Sequence, residues 1–227
     1  MRPFIAEIVG PAGAGKSTLS SRLNGHEGRI RAGISVWGLP LATILIGSLL
    51  SIPTIFSLSL HRKRVRVSDL KQVVRLNALH RHVKRKREVG EDADFDALFM
   101  DEGVVFALSK LRADNAVEHK VVSNSMIEWE RKMIDRWSET LDAIVWLDGP
   151  DDLLAERIRT RDKQHRMKDK SEEEIIDFLG IYRTAYQDVI SDLRASGRID
   201  MMQFRTDDDS PDRMATEIFR LIKQSHG

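Results

Sequence analysis

The sequence predicts an α/β fold, a parallel sheet with helices packed on both faces, and two observations carry that expectation. Short apolar segments at 4–9 (FIAEIV), 97–100 (ALFM), 142–147 (DAIVWL) and 199–204 (IDMMQF) are each followed by a turn and a helical pattern, the alternation that produces parallel strands and crossover helices. The length of 227 residues is about one and a half times a typical domain of roughly 150 residues, so one α/β domain carrying an insertion is expected, not two independent domains. With 41% hydrophobic and 31% charged residues, neither a wholly disordered chain nor a polytopic membrane protein fits. The absence of cysteine removes disulfide scaffolds, thiol nucleophiles, zinc fingers and iron–sulfur clusters, and suits a cytoplasmic protein. A net charge of +1 argues against a globally basic nucleic-acid coat, so no nucleic-acid partner is expected.

The first strand runs directly into Gly10-Pro11-Ala12-Gly13-Ala14-Gly15-Lys16-Ser17-Thr18, a full match to G-x-x-x-x-G-K-[ST]. Glycines let successive backbone N–H groups turn toward one anion, Lys16 reaches the outer phosphates of a nucleotide, and Ser17 offers a hydroxyl to Mg²⁺. The helix continuing through Leu19 and Leu23 adds the positive end of its dipole. This P-loop requires a second strand ending in an acid, and 97–100 followed by Asp101-Glu102-Gly103 supplies it. Ser17 and Asp101 are therefore the expected metal ligands, within a P-loop NTPase three-layer sandwich.

The later helices carry their own start signals. Ser171-x-x-Glu174 is a capping box ahead of an apolar stripe from Ile175 to Leu193, and Ser210-Pro211 opens the final helix with proline in its first turn. Met126, Trp129, Met133 and Trp137 share one helix face, and these stripes are expected in the core.

Charge is segregated in the 32–90 insertion. From Ala32 to Leu60 there is no charged residue, whereas His61 to Arg87 holds eleven Lys/Arg and one acid, Asp69. A transmembrane span is not expected, because the strands on either side of the run must join one sheet, and Gly33, Gly38, Gly47, Pro40 and Pro53 are expected to break it into short pieces. The alternatives are a helical hairpin buried in the core or at a homodimer interface, and an apolar surface bordered by cations that contacts a membrane or a greasy, phosphorylated acceptor through 32–87. Localisation is accordingly expected to be cytoplasmic, with peripheral attachment to the inner face of the membrane in the second case.

GTPases need N-K-x-D and ABC ATPases L-S-G-G-Q, and neither motif occurs. Small kinases instead need a basic lid, because a migrating phosphoryl group must be covered by cations and shielded from water. The 151–170 segment, with Arg157, Arg159, Arg161, Lys163, Arg166 and Lys168, meets that requirement. On GPAGAGKST (10–18), LFMDEG (98–103), ERIRTRDKQHR (156–166) and FLGIYRTAY (178–186), the chain resembles the thymidylate kinase-like branch of the nucleoside monophosphate kinase superfamily, over nearly its whole length apart from 32–90. The resemblance implies a five-stranded parallel core and the use of ATP and Mg²⁺. It does not imply thymidylate: the family's Asp-Arg pair after the third strand is Asp101-Glu102 here, and its lid sequence R-G-x-x-D-R is missing.

The expected activity is transfer of the γ-phosphoryl group of ATP to a hydroxyl or phosphate acceptor by a single domain spanning 1–227. Lys16 and the loop amides hold the triphosphate, Asp101 or Glu102 takes the acceptor proton, and Arg157, Arg161 and Arg166 stabilise the transferring charge. The competing expectation is a nucleotide-gated binding or assembly protein that works through 32–87 on a membrane or partner.

Overall fold

Strands and helices alternate along the chain as β1 (Phe4–Val9), α1 (Lys16–Gly25), β2 (Ile30–Ile34), α2 (Leu41–Leu60), α3 (Val67–Glu88), β3 (Ala97–Met100), α4 (Val104–Val117), α5 (Asn124–Ser138), β4 (Ala143–Asp148), α6 (Asp151–Thr160), α7 (Glu172–Ser196), β5 (Asp200–Arg205) and α8 (Pro211–Ser225). The computed structural model describes residues 2–25, 30–35, 39–60, 67–88, 95–118, 122–162 and 164–225. All five strands are parallel, in the order β2-β3-β1-β4-β5. The strand order reverses beside β1, where an open α/β sheet leaves a crevice at its carboxyl end.

The sheet separates two apolar layers. Ile5 and Val9 of β1 face a cluster built with α3, α4, α5 and α7, while Phe4, Ala6 and Ile8 face a second cluster built with α1, α6, α8 and the start of α7. This is the period-two alternation of a strand covered on both sides. Met126, Trp129, Met133 and Trp137 are buried in the first layer. The capping box at Ser171 and Glu174 forms in both directions, with N···O distances of 3.2 and 2.9 Å.

Four strands fall on the segments expected from sequence, two of them displaced by one residue. Asp142 stays outside β4 because its carboxylate accepts the Ile5 backbone N–H at 2.8 Å, tying two strand starts together. The fifth strand, β2, was not among the expected segments, although Ile30, Ala32 and Ile34 alternate with Arg31 and Gly33 in sequence and in burial. It is an edge strand, only partly buried, with a register shift between Ala32 and Ile34 where Gly33 adopts φ of 80°. The Asn24 side chain pairs with both the N–H and the carbonyl of Ala32, at 2.8 and 2.9 Å, so a side chain completes part of the edge.

The insertion is a helical hairpin, but its apolar run is not broken into pieces. α2 continues as one helix of 20 residues through Gly47 and Pro53. Packing overrides the local cost of these residues, about 1 kcal/mol for glycine and 3 for proline. Gly47 lies against Ala78 of α3, and the buried Ser51 hydroxyl accepts the Asn77 amide at 2.8 Å. Among the described residues no helix is long and apolar enough to cross a membrane. The basic run at 61–66, and Trp37 and Gly38, lie outside the described residues.

A Cβ on Gly47 would sit 2.6 Å from the Ala78 Cβ and 3.0 Å from its Cα, neither of which can swing away. Gly47→Leu is expected to part the hairpin and lower stability by about 1–3 kcal/mol in urea unfolding. Leu49→Ala, on the outward face of the same helix, is expected to change it by less than about 0.5 kcal/mol.

Candidate active site

The turn between β1 and α1 is shaped by glycines at positions that exclude a side chain. Gly10 has φ of 149°, and a Cβ there would fall 2.0 Å from the Leu147 carbonyl oxygen of β4. Gly13, with φ of 85°, would meet the Leu154 carbonyl at 2.8 Å. The loop is thus seated against β4 and α6 and leads into the N-terminus of α1. Lys16 folds over it, its Nζ donating to the carbonyls of Gly10 and Pro11 at 2.7 and 2.8 Å. Burial lowers the Lys16 pKa to about 8, against the opposing pull of Asp101, so the ammonium stays charged at neutral pH.

A cavity of about 740 Å³ opens over this loop and takes in Lys16, Ser17, Asp101, Glu102, Arg157 and Arg161. Asp101 accepts the Ser20 hydroxyl at 2.5 Å, which fixes one carboxylate oxygen toward α1. Burial raises the Asp101 pKa, opposed by the Ser20 hydrogen bond and the Lys16 charge. The Glu102 carboxylate lines the same cavity and has no hydrogen-bond or ion-pair partner among the described residues. Arg157 donates to the Gly13 carbonyl at 3.3 Å, and to the Thr206 hydroxyl and carbonyl at 3.0 and 3.2 Å. It therefore bridges the phosphate loop to the β5–α8 turn. Behind it, Arg183 of α7 holds the β4–α6 turn through Asp148 at 2.9 Å and Asp151 at 2.5 Å.

Arg166 does not line this cavity. Its guanidinium lies over the Phe178 ring at 4.6 Å, donates to the Tyr182 hydroxyl at 2.8 Å and approaches the Asp114 carboxylate at 3.5 Å. A cation stacked on aromatic faces is partly committed before any ligand arrives. Lys163 lies outside the described residues. Oxygen donors of the kind Mg²⁺ prefers are present as the Ser17 hydroxyl and the Asp101 carboxylate. Among the described residues no three His, Asp or Glu side chains gather into a metal cage. That donor set fits a cation shared between one carboxylate, one hydroxyl and a phosphorylated ligand.

Several residues of the site were not singled out from sequence. Phe106, Thr206, Asp209 and Met214 complete the cavity wall, and no residue-type pattern marks them. Glu7 is the more informative omission. It is fully buried in β1, and its carboxylate accepts three backbone N–H groups at the start of α4: Gly103 at 3.0 Å and Phe106 at 2.9 Å on one oxygen, Val105 at 2.9 Å on the other. α4 has no side-chain cap of its own, so Glu7 caps it from the neighbouring strand. A Cβ on Gly103 would fall 2.5 Å from the Glu7 carboxylate, which explains the glycine after Asp101-Glu102. An acidic residue in an otherwise apolar strand was the available signal.

No family model and no curated protein sequence matches the chain. The fold, however, is shared with solved structures along nearly the whole length of both chains. Thymidylate kinase from Candida albicans is similar with a TM-score of 0.59 and 11% identity, over 99% of this chain and 93% of that one. Deoxyadenosine kinase from M. mycoides, with dCMP and dCDP bound, is similar with a TM-score of 0.57 and 13% identity, over 97% and 100%. YorR protein from Bacillus subtilis, in complex with phosphorylated GDP, gives 0.51 and 15%, over 98% and 97%. The chain therefore has the P-loop kinase-like fold of nucleotide and nucleoside kinases.

Burial pushes the Glu7 pKa up to about 7, against the three N–H donors that pull it down. A carboxyl whose folded pKa lies above its unfolded value favours the native state below the unfolded pKa and loses that contribution as pH rises through the folded one. Urea unfolding at about pH 5 and pH 8 is expected to show wild type losing roughly 1–3 kcal/mol relative to Glu7→Gln between the two conditions. Parallel profiles would contradict the assignment.

Proposed function

We propose that the protein is an ATP-dependent phosphotransferase acting on a small-molecule hydroxyl or phosphate. The observation that carries this reading is the meeting, in one cavity, of a P-loop lysine, a hydroxyl and carboxylate suited to a metal, a second carboxylate without a partner among the described residues, and two arginines from α6 and its C-terminal cap. Each part has a place in phosphoryl transfer. The loop amides and Lys16 bind the β and γ phosphates, with Lys16 exchanging its two loop carbonyls for phosphate oxygens. Ser17 and Asp101 would hold Mg²⁺, which would supply positive charge to offset that of the phosphates. Arg157, already anchored at Gly13 and Thr206, lies along the nucleotide, and Arg161 faces the migrating group.

Glu102 is the better candidate for accepting the acceptor proton, because Asp101 is engaged by Ser20 whereas Glu102 is not engaged among the described residues. A switch that merely hydrolyses ATP needs a positioned water, whereas a carboxylate in the cavity with no partner among the described residues suits an incoming hydroxyl equally well. The fold favours the latter, since the similar structures are named as kinases. The reaction then transfers the γ-phosphoryl group to the acceptor oxygen, breaks the bond to the β-phosphate oxygen and leaves ADP; a hydroxyl acceptor gives its proton to Glu102, and an ionised phosphate acceptor has none to give.

Lys16→Ala is expected to lower ATP-dependent phosphotransfer by roughly three orders of magnitude while circular dichroism stays that of the wild type. Asp101→Asn is expected to weaken Mg·ATP binding in calorimetry. Glu102→Gln is expected to leave that affinity intact and lower turnover by roughly 10²–10⁴-fold. Equal losses of ATP affinity in both carboxylate variants would remove the division of roles.

A further inference from the structure

None of the residues of α2 and α3 lines the P-loop cavity, yet their surface is the least explained part of the molecule. Of the ten large apolar side chains exposed among the described residues, seven belong to α2, so the exposure is concentrated on one helix. Leu41, Leu45, Leu49, Ile52 and Phe56 form an outward stripe along it, Leu49 at 65% and Phe56 at 63% exposure. The inward face is used up by Gly47 and Ser51 packing on α3. A contiguous apolar stripe of this length marks a contact surface.

Charge identifies the partner. Beside Leu50 lies a groove of about 330 Å³ lined by Asn77 and Arg81 of α3 and by Trp129, Lys132 and Arg136 of α5. No acidic side chain lines it, and the three cations have no carboxylate partner among the described residues. Trp129, only 6% exposed, has an indole N–H that donates to no acceptor among the described residues. α3 itself carries seven Lys/Arg against Asp69 and Glu88, and four more basic residues precede it in the sequence at 62–66. A symmetric pairing of two copies through this face would offer the groove's cations no acidic side chain from the matching groove. A leaflet of anionic lipid neutralises them instead and takes up the apolar stripe at the boundary of headgroups and acyl chains.

We propose that the α2–α3–α5 face docks on an anionic lipid bilayer, with the α2 stripe inserted and the Arg81–Lys132–Arg136 groove holding phosphate-bearing headgroups. This attachment is independent of the phosphotransfer reading and stands or falls separately from it. Each cation near an anionic surface is worth about a fivefold change in partitioning, so three together amount to about a hundredfold.

The test is co-sedimentation of the full chain with vesicles of phosphatidylcholine alone and of phosphatidylcholine mixed with phosphatidylglycerol. Three variants are compared, each first shown to keep the wild-type urea midpoint. These are Leu45→Glu with Leu49→Glu; Arg81→Gln with Lys132→Gln and Arg136→Gln; and, on α8 across the sheet, Arg213→Gln with Arg220→Gln and Lys223→Gln. Wild type and the α8 variant are expected to bind the anionic vesicles and bind the neutral ones weakly. The groove variant is expected to lose about a hundredfold, and the stripe variant to stay in the supernatant. Three outcomes overturn the proposal: equal binding to both vesicle types, equal losses in the groove and α8 variants, or a salt-resistant dimer that ignores vesicles and is dissociated by the stripe substitutions.

Discussion

The buried carboxylate of Glu7 is the constraint on which the candidate site depends. It sits in the central strand three residues before the phosphate loop and accepts the first amides of α4. One side chain therefore fixes the strand that launches the P-loop relative to the turn that carries Asp101 and Glu102. The arrangement is energetically exposed: a carboxyl buried away from water is tolerated only while its hydrogen bonds persist, and losing one leaves an orphaned amide at the mouth of a helix. Gly103 completes the device, since any side chain there would collide with the carboxylate. The same logic recurs on the other side of the crevice. Arg183 ties the β4–α6 turn to α7, and Arg157 ties α6 to the phosphate loop and to Thr206. Buried or half-buried charges, each satisfied by backbone as well as side chains, set the distances across which a phosphate would be held.

How legible this was from sequence depends on the range of the interaction. β1, β3, β4 and β5, the P-loop and the capping box at Ser171 are each visible as an apolar run or a motif within a few consecutive residues, although the strands pair with partners far along the chain. β2 was not singled out because its half-buried edge position tolerates Arg31 and a bulged Gly33, so it presents no apolar run. Glu7 read as one polar residue within an apolar run, because its three partners are nearly 100 residues downstream. For the same reason the cavity wall at Phe106, Thr206 and Met214 had no signature. The cluster of basic residues in 151–170 was visible, but composition did not distinguish Arg161, which faces the cavity, from Arg166, which stacks on Phe178 and Tyr182.

α2 shows the converse case, where a local rule pointed the wrong way. Glycine and proline disfavour helix interiors, but Gly47 is also what lets α2 approach Ala78, so the residue that weakens the helix strengthens the hairpin. The result is a helix apolar on both faces, one satisfied by α3 and the other by nothing within the described chain. The P-loop cavity and this face are built from different elements, the first from the β1–α1 loop, α1, the β3–α4 turn, α4, α6 with the residues after it, the β5–α8 turn and α8, the second from α2, α3 and α5. The proposed attachment and the proposed phosphotransfer thus rest on separate sets of residues, and each can be tested without touching the residues of the other.

The central claim is that the cavity over the phosphate loop delivers a phosphoryl group to an acceptor oxygen and not to water. It is tested most directly by incubating the protein with γ-labelled ATP, Mg²⁺ and a panel of nucleosides, nucleotides, sugars and polyprenols, then separating the products. Phosphotransfer predicts one panel member that acquires the label in equal amount with the ADP formed, and little labelled inorganic phosphate. Label appearing as inorganic phosphate alone, at the same slow rate with every acceptor, would contradict it and leave a nucleotide-gated switch.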